Sequence, residues 1–210
     1  MIKKGCMDIL QSKCEGCNEC ILGSSRQNVV FSDGNIETAK IMFIGEVPNE
    51  TEDELGIPFV GRAGQLFNEF LAEAGISREN DIYMVNTIKC RPPEGRIPTE
   101  VEKNLCERYL TAQIDIMQPK AIVFCGATAY KAFHKDEKKI QVSKIRGLWF
   151  DITINGKSYP AMVIYHPSYL LRNRSMEEGS PRRLMQEDLA SIKSTFLSTS
   201  NPFQKDMAIV

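Results

Sequence analysis

The chain has 210 residues, of which 42% are hydrophobic and 25% are charged, so disordered and fibrous classes are excluded. Its 26 Lys and Arg residues nearly balance its 27 Asp and Glu residues, which gives a formal net charge of −1. Binding to nucleic acid through bulk positive charge is therefore excluded as well. Apolar runs fall short of the ~18 residues that indicate a membrane span, and no signal-peptide pattern follows Met1. We expect a cytoplasmic protein without a membrane partner.

Predicted strands and helices alternate along the chain. The strands are short apolar runs, and the helices show apolar residues at helical spacing between start and stop signals. The helix that begins near Thr99 opens with a capping box between Thr99 and Glu102. In chain order the predictions are a strand at 41–44, a helix over 61–74, a strand at 82–85, a helix over 99–117, a strand at 121–124, a short helix over 127–133, a hairpin with arms at 149–154 and 159–165, and a helix over 182–196.

This alternation predicts an α/β fold, a three-layer αβα sandwich with a central, mostly parallel four-stranded sheet. We expect a single domain over 1–197 with an N-terminal cluster-binding segment, and a flexible tail over 198–210. Ligands bind at the carboxyl ends of the strands in such sheets. Four residues leave the strand ends and mark that edge, namely Glu46, Asn86, Gly126 and His166. The sequence contains no G-x-G-x-x-G after its first strand and no G-x4-G-K-[ST], so it lacks the main dinucleotide and nucleoside triphosphate signals.

The seven cysteines point to a metal centre. Their number is odd and no secretory signal is present, which argues against disulfides. Cys14 and Cys17 form a C-x2-C pair with Cys20 three residues further on, and Cys90 and Cys106 stand fifteen intervening residues apart. Four thiolates suit zinc or an iron–sulfur cluster equally, so spacing does not choose the metal.

Three motifs occur in order along the chain. They are GIPFVGRAG from Gly56 to Gly64, KCRPP from Lys89 to Pro93 and HPSYLLR from His166 to Arg172. Together they resemble the family 4 uracil-DNA glycosylases, iron–sulfur members of the uracil-DNA glycosylase superfamily, over nearly the whole chain. The resemblance implies a monofunctional DNA repair enzyme that flips uracil out of single- or double-stranded DNA, hydrolyses its N-glycosidic bond and leaves an abasic site. We expect this enzyme to act as a monomer.

The resemblance also implies roles for the residues at the strand ends. Glu46 is expected near the attacking water or the sugar, and His166 is expected to hydrogen-bond uracil O2 as negative charge develops there. Phe59 supplies a stacking face, Asn86 reads the base edge with a donor and an acceptor, and Glu52 shapes the pocket. The implied catalytic residues are thus Glu46 and His166, and the implied substrate-binding residues are Val47, Glu52, Phe59 and Asn86.

Further residues are assigned to DNA and to the cluster on the same ground. The helix after Gly61 can hold a phosphate on its first N–H groups, and Leu170 or Leu171 can fill the space left by a flipped base. The implied DNA-binding residues are Gly61, Arg62, Ser168, Leu170, Leu171 and Arg172. The implied ligands of a [4Fe–4S] cluster are Cys14, Cys17, Cys90 and Cys106, with Cys20 able to replace one of them.

The first loop departs from the family pattern. The family reads G-E-[GA]-P-G, whereas this chain has Val47 and Asn49 at the third and fifth positions. A β-branched Val47 is expected to crowd the base, and Asn49 adds an amide where the family has no side chain. The main alternative is therefore a catalytically weakened or substrate-shifted protein that binds DNA damage on the same fold. A second alternative is a redox iron–sulfur protein, but it would leave the polar strand-end loops without a role. A third is covalent capture of the abasic sugar, which is known in a related branch of the superfamily. That branch carries a K-R-R-I-H-like insertion, which this sequence lacks.

Overall fold

The computed structural model describes residues 2–135 and 139–198, so most of the predicted tail lies outside the described residues. Its central sheet has the strand order β2-β1-β3-β5-β4. β1, β2, β3 and β5 run parallel, and β4 pairs with β5 in the antiparallel direction. The strands are β1 (Ile41–Gly45), β2 (Ile82–Asn86), β3 (Ala121–Cys125), β4 (Trp149–Ile154) and β5 (Lys157–Ile164).

The mostly parallel α/β fold is confirmed, but the predicted strand count of four is wrong. The first arm of the predicted hairpin, β4, joins the sheet as a fifth, edge strand. Asn155 and Gly156 make its turn with φ of 49° and 77°, as a tight hairpin turn requires. Every residue of β1, β2 and β3 is buried, whereas burial alternates along β4 because only one face of an edge strand is covered.

Helices cover both faces of the sheet. On one face α1 packs against α5, and on the other face α4 contacts α8 and α9. Successive residues of β1 point to opposite faces of the sheet: Met42 and Ile44 lie in the core beneath α5, and Ile41 and Phe43 lie in the core beneath α4. The helices are α1 (Ile2–Glu15), α2 (Leu22–Ser25), α3 (Glu50–Leu55), α4 (Arg62–Glu73), α5 (Glu100–Met117), α6 (Ala127–Lys131), α7 (Val142–Ile145), α8 (Pro167–Arg172) and α9 (Pro181–Ile192).

The capping box at the start of α5 is confirmed, since Thr99 and Glu102 each accept the other's backbone N–H. The last helix is shorter than predicted, because α9 ends at Ile192 and the chain continues as a π-helical turn, Lys193–Leu197. Helices α1, α2, α3, α7 and α8 were not predicted, and all of them except α1 span only four to six residues, which is too short for a helical period to show. No helix within residues 2–135 and 139–198 is both long and apolar enough to cross a membrane.

Candidate active site and cysteine-lined cavity

The carboxyl ends of the parallel strands bring the predicted site residues to one edge. The Thr87 hydroxyl donates a 2.6 Å hydrogen bond to the carbonyl oxygen of Glu46, which joins the loops after β1 and β2. Gly126 donates to the carbonyl of Ile164 at 2.9 Å, which joins the loops after β3 and β5. A Cβ at Gly126 would stand 3.0 Å from the Cβ of His166, and the φ of 91° there also favours glycine. Glu46 and Asn86 therefore stand at the ends of adjacent strands, and His166 stands at the end of β5, on the other side of β3.

Asn86 carries an unpaired amide at this edge. Only 2% of the residue is exposed, yet its Nδ2 has no hydrogen-bond partner among the residues that the structure describes. The position that a Cβ at Gly45 would take is blocked by Oδ1 of Asn86 and by the Phe59 ring, whose Cζ would be 2.6 Å away. The Asn86 amide and the Phe59 ring thus both pack closely against Gly45. A buried donor without an acceptor is costly, so a ligand with a carbonyl oxygen fits here.

Phe59 stands in a strained turn. Its φ of 57° lies in the left-handed region, which bulky side chains rarely adopt. Gly64 permits this turn, because a Cβ there would collide with the backbone of Phe59. The Phe59 ring packs on Phe67 of α4 with centroids 6.0 Å apart. The turn therefore presents one edge of the Phe59 ring to Gly45 and Asn86 while the ring rests on the core.

Glu52 lies beneath that turn, with 6% of its surface exposed. Burial raises the pKa of its carboxyl group, and the N–H groups of Asn49, Phe59 and Val60 lower that pKa in part. The side chain of Asn49 caps α3 by accepting from the N–H of Glu52 at 3.0 Å. In return, the Glu52 carboxylate accepts from the N–H of Asn49 at 3.2 Å. Asn49 is thus one half of a capping box, which accounts for the amide that departs from the family pattern.

Val47, the second departure, has a half-buried side chain that packs against the small apolar cluster of Leu22, Ile88 and Cys90. This cluster belongs to the cysteine-bearing part of the chain. The contacts that the structure gives for Val47 are with this cluster. The crowding of the base that we expect from the β-branched side chain stays a prediction.

His166 holds a defined tautomer at the end of β5. Its Nδ1 accepts from the backbone N–H of Ser168 at 3.2 Å and lies 2.7 Å from the Ser168 hydroxyl. The ring proton therefore sits on Nε2, which leaves that atom as a donor. Burial lowers the pKa of His166 to about 4, so the imidazole is neutral near pH 7. This arrangement suits a neutral hydrogen-bond donor to a developing anion.

Glu46 is half-buried at the end of β1. Burial raises the pKa of its carboxyl group, and the Thr128 hydroxyl and the charge of Lys103 partly offset this rise. Thr128 and Lys103 also line a cavity of about 300 Å³ between α5 and α6. A carboxylate beside such a cavity has room for a water molecule, and in its charged form it can support positive charge on a sugar.

The predicted DNA-contacting residues divide into exposed and buried ones. Gly61 is the N-cap of α4 and Arg62 is its exposed first residue. In α8, Ser168 and Arg172 are exposed and Leu171 is half-buried. Leu170 has no exposed surface and belongs to the core beneath α4, so Leu171 is the member of the pair that can reach DNA.

Five cysteines line one cavity between α1, α5 and the loop after β2. They are Cys14, Cys17, Cys20, Cys90 and Cys106. Three of the sulfurs meet N–H donors: Cys90 lies 3.5 Å from Nη1 of Arg26, Cys106 lies 3.4 Å from the backbone nitrogen of Lys89, and Cys17 lies 3.7 Å from Nη2 of Arg108. No three His, Cys, Asp or Glu side chains within residues 2–135 and 139–198 converge closely enough to hold one ion.

The buried ammonium of Lys89 borders this cavity. Lys89 has no exposed surface, lies 6.0 Å from the centroid of the Phe31 ring and interacts electrostatically with Cys106, Cys14 and Cys90. Burial raises the pKa of Cys14 to about 12 and that of Cys90 to about 11 when the sulfurs are free thiols. A site with cationic N–H donors aimed at its sulfurs fits a centre that binds thiolates and carries net negative charge.

Sequence reasoning missed two residues that hold the site. Lys89 lies inside the KCRPP motif, and a lysine that follows a fully apolar strand is the signal that could have found it. Arg78 contacts Asp33, Pro58, Phe59 and Asn68. Nothing in the local sequence around Arg78 indicates these contacts, because most of them span long separations along the chain.

Comparison with known proteins identifies the family. The model of the "Uracil DNA glycosylase superfamily" matches residues 31–190. The chain is 47% identical to the type-4 uracil-DNA glycosylase of Thermotoga maritima over 188 residues, covering 90% of this chain and 93% of that protein. It is 36% identical to the type-4 enzyme of Saccharolobus solfataricus, covering 91% and 87%, and 36% identical to that of Archaeoglobus fulgidus, covering 82% and 86%. The chain therefore belongs to the uracil-DNA glycosylase superfamily, within its type-4 family.

Proposed function

We propose that this protein removes uracil from DNA as a monofunctional glycosylase, hydrolysing the N-glycosidic bond and leaving an abasic site. The observation that carries this proposal is the buried, unpaired Nδ2 of Asn86 beside the Phe59 ring. Uracil presents O4 as an acceptor and N3–H as a donor, which complement Nδ2 and Oδ1 of one amide. Cytosine presents an amino group where uracil has O4, so it meets Nδ2 donor to donor.

The same amide requires the base to leave the duplex, because the Watson–Crick edge is paired inside a double helix. The flipped uracil stacks on Phe59 and replaces the contacts that it loses in the duplex. Leu171 occupies the space left in the stack, and Arg62, Ser168 and Arg172 hold the phosphates around it. The amino end of α4 at Gly61 adds backbone N–H groups for a phosphate.

Bond cleavage uses His166 and Glu46. As the bond between C1′ and N1 breaks, its electron pair moves onto the uracil ring, and Nε2–H of neutral His166 donates to O2, where negative charge collects. The sugar becomes an oxocarbenium-like cation that the Glu46 carboxylate stabilises. Water adds to C1′ and gives up one proton, which the Glu46 carboxylate accepts. The uracil anion takes up a proton from water and Glu46 releases its proton to water, so the products are free uracil, an abasic sugar and the enzyme in its starting form.

We propose that Cys14, Cys17, Cys90 and Cys106 hold a [4Fe–4S] cluster, with Cys20 as the spare thiol of the same cavity. The cluster would supply structure by joining α1 to the loop after β2. The N–H donors of Arg26, Arg108 and Lys89 at three of the sulfurs support this set. We further propose that one chain acts alone as a single domain, because it supplies the base-reading, stacking and hydrolytic residues from its own strand ends.

The alternative of a damage-binding protein without turnover is not favoured. It rested on Val47 and Asn49, and both have structural roles: Asn49 caps α3 and Val47 packs against Leu22, Ile88 and Cys90. Neither departure removes Glu46, Asn86 or His166 from the site.

The proposal is tested by incubating the purified protein with an end-labelled oligonucleotide that carries one uracil, then cleaving abasic sites with alkali. A nick at the uracil, together with release of free uracil, is expected. An identical oligonucleotide with cytosine at that position is the matched control and should stay intact. An uncleaved uracil strand at enzyme in excess of substrate would refute the proposed function.

A further inference from the structure

The turn that presents Phe59 needs a restraint. Its φ of 57° places a bulky aromatic residue in a conformation that costs free energy, and such a conformation persists only where its surroundings impose it. The Phe59 ring must also lie beside the Asn86 amide for both to meet one base. The residues that fix the backbone at Phe59 therefore also set the geometry of the base pocket.

Arg78 supplies that restraint from the carbonyl side of the turn. Its Nη2 donates to the carbonyl oxygen of Pro58 at 2.6 Å, and its Nη1 donates to the carbonyl oxygen of Phe59 at 3.0 Å. One planar guanidinium thus holds two successive peptide carbonyls, one on each side of the strained φ. Its side chain is 20% exposed, so these bonds are largely shielded from water.

The guanidinium is itself anchored on two elements. Its Nε donates to Oδ2 of Asp33 at 2.7 Å, and its Nη1 also donates to Oδ1 of Asn68, on α4, at 2.7 Å. The backbone of Asp33 exchanges two hydrogen bonds with Met84 of β2, at 3.0 and 2.8 Å. Arg78 therefore ties the Phe59 turn both to the strand that ends at Asn86 and to the helix beneath the Phe59 ring.

We propose that Arg78 is a positioning residue for uracil, one that holds the Phe59 ring in register with the Asn86 amide so that the flipped base meets a preformed stacking surface. This inference rests on the proposed function. Glu52 restrains the same turn from its N–H side, through Phe59 and Val60. A lysine cannot replace Arg78, because its ammonium offers a point charge instead of a planar fork with donors in fixed directions.

The test compares Arg78→Lys with the parent protein in three measurements, each made well below the melting temperature of the variant. They are the single-turnover rate of uracil excision, the inhibition constant of free uracil, and the affinity for an abasic-site duplex. A misplaced stacking ring is expected to cut the excision rate by about 10- to 100-fold. It should weaken inhibition by free uracil by about tenfold, whereas the duplex affinity should stay within about twofold because phosphate contacts dominate it.

Arg146→Lys is the matched structural control. Arg146 is a second largely buried arginine, and its guanidinium donates to the Asp188 carboxylate and to the carbonyl oxygen of Leu184, both on α9. The change should lower the melting temperature and leave the excision rate and the uracil inhibition constant within about twofold of the parent. If Arg78→Lys does not fold, Asp33→Asn loosens the same guanidinium isosterically and should weaken uracil inhibition in the same direction.

Two results overturn the inference. One is an Arg78→Lys protein that is less stable than the parent but has the parental excision rate and the parental inhibition constant for uracil. The other is an Arg146→Lys protein that loses as much uracil affinity as Arg78→Lys. A parent protein that neither excises nor binds uracil would instead refute the proposed function, and the inference with it.

Discussion

The ammonium of Lys89 donates a 2.7 Å hydrogen bond to the carbonyl oxygen of Asn86, and it does so without any exposed surface. The backbone N–H of the same lysine points at the sulfur of Cys106, 3.4 Å away. One residue thus joins the strand end that carries the base-reading amide to the cysteine-lined cavity. A buried charge is tolerated only with partners, and the thiolates of the cavity are the partners that its surroundings offer.

Lys89→Met tests this link, since it keeps the length of the side chain and removes its charge. Loss of a positive charge beside the proposed cluster would disfavour an added electron, so the reduction potential of that cluster should shift to a more negative value. The Asn86 carbonyl loses its anchor, and the single-turnover rate of uracil excision should fall about tenfold. Lys120→Met, at an exposed site before β3, is the control and should change neither quantity. An unchanged potential together with an unchanged rate would contradict the link.

Cysteine-to-serine variants test the ligand set through iron content and visible absorption. Replacing Cys14, Cys17, Cys90 or Cys106 singly should remove most of the iron and lower the melting temperature, because metal binding is coupled to folding. Cys20→Ser and the exposed Cys6→Ser should keep both properties. Full iron in Cys17→Ser with loss in Cys20→Ser would make Cys20 a ligand, and colourless parent protein with stoichiometric zinc would refute the iron assignment.

The pH dependence of excision separates Glu46 from His166. The active form of Glu46 is the carboxylate, and burial raises its pKa, so the rate should fall with acidification at a higher pH than for an ordinary glutamate. His166, whose pKa is about 4, stays neutral above that pH and contributes no loss near pH 6. Single-turnover rates of His166→Gln should keep the acid limb, and those of Glu46→Gln should lose it. A limb in Glu46→Gln centred near the ordinary histidine pKa would reverse the assignment.

Val47→Ala tests whether the valine side chain packs against the cluster of Leu22, Ile88 and Cys90 or crowds the base. Its contacts with Leu22, Ile88 and Cys90 predict a small cavity and a loss of about 1–2 kcal/mol in the free energy of unfolding. The excision rate should then stay within about twofold of the parent. Thermal unfolding and single-turnover kinetics on the same preparations decide the matter, because a faster variant of undiminished stability would mean that Val47 crowds the base.

The strands and the polar residues that leave them could be predicted from the sequence, because short apolar runs and caps are local signals. Asn86 and His166 follow such runs directly, Glu46 follows one after Gly45, and the capping box joins Thr99 to Glu102, only three positions away. The hairpin arm at 149–154 was predicted, but it was not counted in the central sheet, because β4 alternates in burial at the sheet edge and gives a weaker apolar signal than β1.

The restraints on the site could not be predicted from the sequence. Arg78 meets Asp33 across 45 residues and Phe59 across 19, and tertiary contacts such as the bridge between Asp33 and Met84 of β2 bring them together. The side chain of Val47 turns toward the cysteine-bearing part for the same reason, since its direction depends on how the loop after β2 folds. Tertiary contacts, which leave no periodic pattern in the sequence, decide these positions.

The most direct test of the account is the single-turnover rate of uracil release by Asn86→Asp. This change keeps the size of the side chain and one acceptor oxygen but removes the unpaired Nδ2 donor. We expect the rate to fall by about 10²- to 10³-fold, the scale of one lost hydrogen bond in a water-excluded site, while affinity for an abasic-site duplex is preserved. Asn104→Asp, at an exposed position on α5, is the control and should excise uracil like the parent. Uracil release by Asn86→Asp at the parental rate would contradict the claim that this amide reads the base.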